Sequence, residues 1–273
     1  MTENGPLQVF AAMPWYVYLL LGVMVVSFVV TKVLPFLRTA QRVISTKKYV
    51  KNPNGSSLSL DQQRALGVGA IGAEQQGFFV DTLATGQNAG DLRVKLQEWW
   101  DVHDRGTALQ TLHWLSDEGH RALFDRLISL YTEVPAAERK RALAQHFAGE
   151  GRAAEYLENL DAAFKTLQAE GVVSGRDALR GTTLAWDLGR LVVVARSCHT
   201  AGYVTEPEAW SLIQRAHAEA VRTFADWSEF SRSFLVGRAV WGGDDLALPG
   251  LCTIGRGLQQ DAESPWRSAL LRA

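Results

Sequence analysis

Apolar positions recur at steps of three and four along most of the chain, and residues with capping chemistry interrupt them. Between residues 184 and 241 this pattern predicts three consecutive helices. Leu184, Leu188, Leu191, Val194, Ala195 and Cys198 form the stripe of the first. Ala209, Ile213, Ala216, Ala220, Phe224 and Trp227 form that of the second, and Trp227, Phe230, Phe234, Gly237 and Trp241 that of the third. Gly202 can take the left-handed conformation that closes a helix. Thr205 and Glu208 have the spacing of a capping box around Pro207, and Asp226 with Glu229 repeats it.

Upstream, Ser59 and Gln62 open a helix expected to run to about Leu83. Residues 91–102 predict a short helix with Leu92, Leu96, Trp99 and Trp100 inward, and residues 104–115 another around Ala108, Leu112 and Leu115. Ser116 is the expected cap of a helix carrying Leu123, Phe124, Leu127 and Tyr131. Pro135 breaks the chain, and residues 136–147 read as a polar, exposed helix. Residues 152–170 follow with Leu160, Phe164 and Leu167 inward, closed by Gly171, and Ser174 with Asp177 leads into the helix of Trp186. No sustained period-two run bounded by turn residues occurs.

The fold class is therefore all-α. Gly67, Gly69 and Gly72 match the spacing of a dinucleotide-binding fingerprint. That fingerprint needs a strand before it, and here a helix precedes it, so close helix packing is the reading that fits.

The two ends differ from the middle. No charged residue lies between Glu3 and Lys32, and residues 15–31 are almost wholly apolar, with Trp15, Tyr16 and Tyr18 at one edge. This predicts a single-pass transmembrane helix followed by a multi-helix, bundle-like globular domain. A cleaved signal peptide fits less well, because the start has no basic residue and no small-residue cleavage site follows. Lys32, Arg38, Arg42, Lys47, Lys48 and Lys51 all follow the span, which puts the N-terminus outside and the domain in the cytoplasm. Beside a membrane these residues suit anionic headgroups better than nucleic acid. The expected boundaries are 1–37 for the N-terminal segment and span, 38–57 for the basic segment and flexible joint, 58–241 for the helical domain, and 242–273 for a glycine-rich arm, extended or partly mobile, with a terminal helical turn over residues 264–271.

Composition narrows the function classes. An apolar fraction of 47% with 21% charged residues is globular, and a net charge of −1 gives no electrostatic case for nucleic acid. Cys198 and Cys252 are the two cysteines, too few and too scattered for a metal site or a disulfide framework, and they read as free thiols in a reducing compartment. No strong catalytic motif occurs, no two histidines have metal spacing, and neither a cofactor nor a metal is expected.

The candidate chemistry lies in polar residues on apolar faces. Asp187 shares the stripe of Leu191, and Arg238 shares the face of Phe234. A buried lone charge is costly, so Asp187 is expected to pair with Arg238 or with Arg190. Asp187, Arg190, Arg196 and Arg238 make up either a structural clamp or a phosphate- or carboxylate-binding cluster, with His120, Trp186, Tyr203 and Trp241 in support. His120 reads as a hydrogen-bonding histidine at a helix terminus, with general-base work as the alternative.

The run Trp186-Asp187-Leu188-Gly189-Arg190, with Ala195-Arg196, Gly202-Tyr203, Glu208-Ala209-Trp210, Trp227-Ser228-Glu229-Phe230 and Gly237-Arg238, resembles the signature of a bacterial family, domain of unknown function 1266. Residues 58–83, Trp99-Trp100, residues 108–115, Gly119-His120 and Phe124-Asp125 agree with it. The resemblance implies a mostly helical bacterial domain without a settled activity, with relatives near interbacterial-conflict and secretion loci. Together these readings predict a single-pass inner-membrane protein whose cytoplasmic domain binds another protein, with homo-oligomers possible. The alternative is an enzyme or small-ligand-binding protein that uses the Asp/Arg cluster.

Overall fold

The computed structural model describes residues 48–272 apart from Ser56, within one compact unit, Lys47–Ala273. Every regular element among them is helical, and no strand occurs among them. The helices are α1 (Leu60–Gly67), α2 (Ala70–Gln76), α3 (Ala89–Trp100), α4 (Arg105–Asp117), α5 (Arg121–Glu133), α6 (Ala136–His146) and α7 (Ala153–Ala169). A 3-10 turn (Arg176–Leu179) leads to α8 (Leu184–Ala201), α9 (Glu206–Thr223), α10 (Trp227–Gly242), α11 (Leu248–Gln260) and the short α12 (Pro265–Ser268).

Among the described residues no helix is long and apolar enough to cross a membrane. The span expected over residues 15–31, and Lys32, Arg38, Arg42 and Lys47 after it, lie outside the described residues. Of the basic run, Lys48 pairs with Asp261 at 3.1 Å and Lys51 is exposed.

The central element is α8, with α2, α3, α4, α9 and α10 packed around it. Leu188, Leu191, Val192, Val194, Ala195 and Cys198 form one broad apolar face over three turns, and on its other side Gly189, Val193, Arg196 and Ser197 are buried as well. Each fully buried Leu or Val side chain contributes roughly 1.5–3 kcal/mol. Both cysteines are buried and free, and burial pushes each thiol up to about 12. Local capping chemistry sets most boundaries where expected. Ser59 with Gln62 and Thr205 with Glu208 form capping boxes, Asp226 accepts from the amides of Ser228 and Glu229, and Gly202 closes α8 at φ +83°.

Four departures from the sequence reading have tertiary causes. The single helix expected from Ser59 to Leu83 is broken at Val68-Gly69 and ends at Gln76. A Cβ on Gly69 would lie 2.6 Å from Val192 Cγ1, and one on Gly72 2.9 Å from Val193, so these glycines set close approach to α8. Trp99 is 63% exposed, because Leu92 and Leu96 seat α3 on its other face. Ser116 lies inside α4, and the next helix starts only at Arg121.

The fourth concerns the expected arm, residues 242–273: α12 lies within the terminal turn expected over residues 264–271, but the longer helix α11 was not expected. Leu248, Leu251, Cys252, Gly255 and Leu258 make the buried stripe of α11. Trp266 is buried, stacks on Trp227 with centroids 4.8 Å apart, and donates from its indole to the Gly67 carbonyl at 2.7 Å. The helix predicted as exposed, α6, is largely so but is pinned by one buried residue. Arg139 lies over the Tyr131 ring and pairs with Asp161.

Candidate functional site

The polar centre of the molecule lies where the N-terminal ends of α5 and α8 meet. A helix start leaves backbone amides without intrahelical partners. At α5 they are satisfied from a distance, because the Asp187 carboxylate accepts from the amides of His120 at 3.1 Å and Arg121 at 3.0 Å. An anion at that end also meets the positive pole of the helix. Gly119 makes this approach possible. It has φ +60°, and a Cβ there would stand 2.1 Å from Asp187 Oδ2.

The start of α8 is served in return by α5. Asp125 Oδ1 accepts from the Thr183 amide at 2.7 Å and its hydroxyl at 2.8 Å. The two helices therefore cap each other, each supplying the carboxylate that the other needs. Because Asp187 finds its donors on α5, α5 begins at Arg121 and not after Ser116.

The charge of Asp187 is balanced by arginines. Arg190 donates to Oδ1 at 2.5 Å, and the Arg121 guanidinium lies 3.3 Å from Oδ2. Arg190 is thus the partner of Asp187, and Arg238 is not. The Asp187 side chain is fully buried, and its two oxygens accept four donors between them. Arg190 also donates to the Trp186 carbonyl at 3.1 Å and lies over the rings of Trp186 and Trp100. Burial pulls its pKa down to about 10, so it stays charged at neutral pH.

His120 completes the centre, with its ring edge-on to Trp114 and packed near Phe124 and Tyr156. Its Nδ1 lies 2.9 Å from Arg190 Nη2. A guanidinium only donates, so Nδ1 must accept, which places the proton of the neutral ring on Nε2. Burial, then the nearby Arg190 charge, lower the His120 pKa to about 4. The accepting nitrogen is occupied and weakly basic, a poor arrangement for a general base.

The other two arginines go elsewhere. Arg196 is 1% exposed and donates to four carbonyls of the 77–88 loop, those of Phe79, Thr82, Leu83 and Ala84. It sets that loop's shape. Arg238 pairs with Asp245 Oδ2 at 2.5 Å, while Asp245 Oδ1 accepts the amides of Ala247 and Leu248 at the start of α11. Asp187, Arg190, Arg196 and Arg238 therefore do not converge on one pocket.

Among the supporting residues, Tyr203 is half-buried behind the C-terminus of α8. Trp241 is 40% exposed, with its ring 6.1 Å from Trp186 and 5.5 Å from the Arg238 guanidinium. Trp186 Nε1 and Arg238 Nη1 are buried donors without a partner.

The sequence reading missed Arg121, Asp125 as the cap of α8, and Tyr156 beside His120. Gly119-His120-Arg121, a glycine turn with no capping side chain of its own, did signal that α5 needs an acceptor from elsewhere.

A model of the family described as "Protein of unknown function (DUF1266)" matches residues 95–269. The match starts later than the resemblance noted from residue 58 and runs past Trp241 to take in α11 and α12. The uncharacterized protein YbeR of Escherichia coli (strain K12) is 25% identical over 146 residues. That alignment covers 54% of this chain and 56% of YbeR, so the match spans little more than half the length of this curated relative. No solved structure matches the chain. The matched residues contain both capping carboxylates, His120 and all four predicted cluster residues, and the chain belongs to the family of unknown function DUF1266.

Proposed function

We propose that this chain is a bacterial inner-membrane protein with a single N-terminal span, whose cytoplasmic helical domain binds another protein. The observation that carries this reading is the committed state of the polar centre. Asp187 and Arg196 have their hydrogen-bonding capacity taken up by the protein itself, which is the behaviour of a structural clamp. The exposed residues are of the kind that anchor protein contacts. Trp99 is 63% and Val94 55% exposed on α3, and Trp241 and Leu246 are 40% and 77% exposed. The apolar run of residues 15–31 and the basic residues after it support the anchor and its orientation.

The test is photocrosslinking in native membranes from an unnatural residue at position 99, with one at the buried position 191 as control. A discrete protein adduct at 99 alone is the expected result. The reading fails if the two positions give the same pattern. A reactive cysteine placed after Lys51 should resist labelling from outside intact cells, and labelling there would overturn the orientation.

A second reading, an enzyme or a phosphate- or carboxylate-binding protein using the Asp/Arg cluster, draws support only from the orphaned donors of Trp186 and Arg238. Saturation of the Asp187 and Arg196 partners weighs against it.

A further inference from the structure

Ahead of α1, residues 48–52 lie against the domain without forming part of any helix. Three carboxylates fasten them there. Lys48 pairs with Asp261 Oδ2 at 3.1 Å, and the Tyr49 hydroxyl donates to the same oxygen at 2.9 Å. The Tyr49 amide donates to both oxygens of Glu74 on α2, at 3.1 and 3.3 Å. Further on, the Asn52 amide donates to Asp81 at 2.9 Å, and the Val50 carbonyl accepts the Val80 amide at 2.8 Å.

Tyr49 is the centre of this strap. It is 8% exposed, and its φ of +52° lies in the left-handed region, which crowds the Cβ of any residue other than glycine. Such a conformation persists only while its surroundings hold it. What holds it here is the bond to Asp261, the bond to Glu74 and the burial of the ring. Gly257 on α11 leaves room for the first, since a Cβ there would lie 3.2 Å from the Tyr49 hydroxyl and 3.3 Å from Asp261 Oδ2. Among the described residues, the Asp261 carboxylate bonds to nothing but the strap.

The chain after the strap is able to turn. Pro53, Asn54 and Gly55 are exposed, and the Gly55 amide closes a local turn on the Asn52 carbonyl at 3.0 Å. Gly55 has φ +79°, and nothing lies within 4 Å of a Cβ placed on it. The first helix is secured without the strap. Ser59 and Gln62 cap its start, and the Trp266 indole holds the Gly67 carbonyl at its end.

We infer that residues 48–52 form a strap that swings open about the turn at residues 53–55 while the helices stay folded, with Tyr49 as its latch. Opening relieves the left-handed strain at Tyr49 and exposes its side chain. It also frees the strap as roughly 17 Å of extended chain ahead of α1. The device does not rest on the protein-binding reading; in an anchored chain the freed length is added tether.

The test is hydrogen exchange of the 273-residue chain in phosphatidylcholine nanodiscs, read at single amides by mass spectrometry with electron-transfer fragmentation. The reporters are the amides of Tyr49, Asn52 and Val80, with Leu191 in α8 as the core control. In the wild type the reporters should already exchange faster than Leu191. Asp261→Ala, at a side chain 37% exposed, should speed all three about tenfold and leave Leu191 and the urea midpoint unchanged. Tyr49→Phe, which removes the hydroxyl alone, should give a smaller rise at the same three amides. Three results would overturn the inference. Unchanged reporters in Asp261→Ala would show that Asp261 does not hold the strap. A response at Tyr49 alone would show that the strap does not open as a unit. Equal exchange at the reporters and at Leu191 would show that it opens only with the whole domain.

Discussion

The junction of α5 and α8 and the cleft between α10 and α11 contain similar residues and treat them in opposite ways. At the junction, a buried carboxylate meets two amides and two guanidinium groups, and a second carboxylate returns the cap to the other helix. Between α10 and α11, the buried Ser231 hydroxyl has no partner, and the nearby Arg232 keeps only a loose ion pair with Glu229 at 3.8 Å. Charge and burial alone would mark both as sites. The degree to which donors and acceptors are already matched separates them, because an unmatched buried polar group carries a desolvation penalty that a ligand can remove.

The largest effect should come from breaking the junction. Asp187→Ala removes the acceptor of two amides and the counter-charge of two guanidinium groups in a buried place, and unfolding in urea should show a loss of about 3–5 kcal/mol. Asp125→Ala should cost less, about 1–2 kcal/mol, as loss of a cap. If the helices cap each other as a unit, the double variant will lose less than the two single losses added together. Simple additivity would show that the two caps act independently.

A smaller effect should follow pH. His120 titrates near 4 in the folded chain and near 6.5 when exposed, so its folded pKa is depressed. The stability it confers is fully present above about pH 6.5 and is lost as pH falls toward 4, because the unfolded chain takes up the proton first. The loss should reach roughly 2–3 kcal/mol. Urea midpoints at pH 7.5 and 4.5 for wild type and His120→Asn check this. The variant should show the shallower fall, and equal slopes would remove His120 from the account.

The smallest effect belongs to the cleft. Ser231→Ala deletes an unpartnered hydroxyl, so stability should stay level or rise by about 0.5 kcal/mol. A fall beyond 1 kcal/mol would mean that the hydroxyl has a partner within the protein, and would erase the contrast with the junction.

Much of this architecture was legible from residue spacing. Ser59/Gln62, Thr205/Glu208, Asp226 and Gly202 act within four residues of the ends they define, so the sequence contains the whole interaction. The stripe of α11 was equally present in Leu248, Leu251, Leu258 and Cys252, but Gly250, Gly255 and Gly257 among them read as loop. Packing against α2 and α10 overrides that local cost of glycine.

The candidate site was legible in part. Asp187 sits on an apolar stripe, so the sequence alone required a partner for it, and Arg190 one turn away was among the choices. The amides of His120 and Arg121 were not, because they lie 67 and 66 residues away and a backbone amide looks the same at every position. The same distance hid the destinations of Arg196, four loop carbonyls more than 110 residues earlier.

The sequence by itself determined the all-helical class, most helix boundaries and which buried charges need partners, since these follow from propensity, capping and desolvation acting locally. Only the tertiary structure decided which groups meet those charges, that the last thirty residues include packed helices, and where space remains between helices. Those outcomes depend on contacts between distant segments, and local chemistry does not encode them.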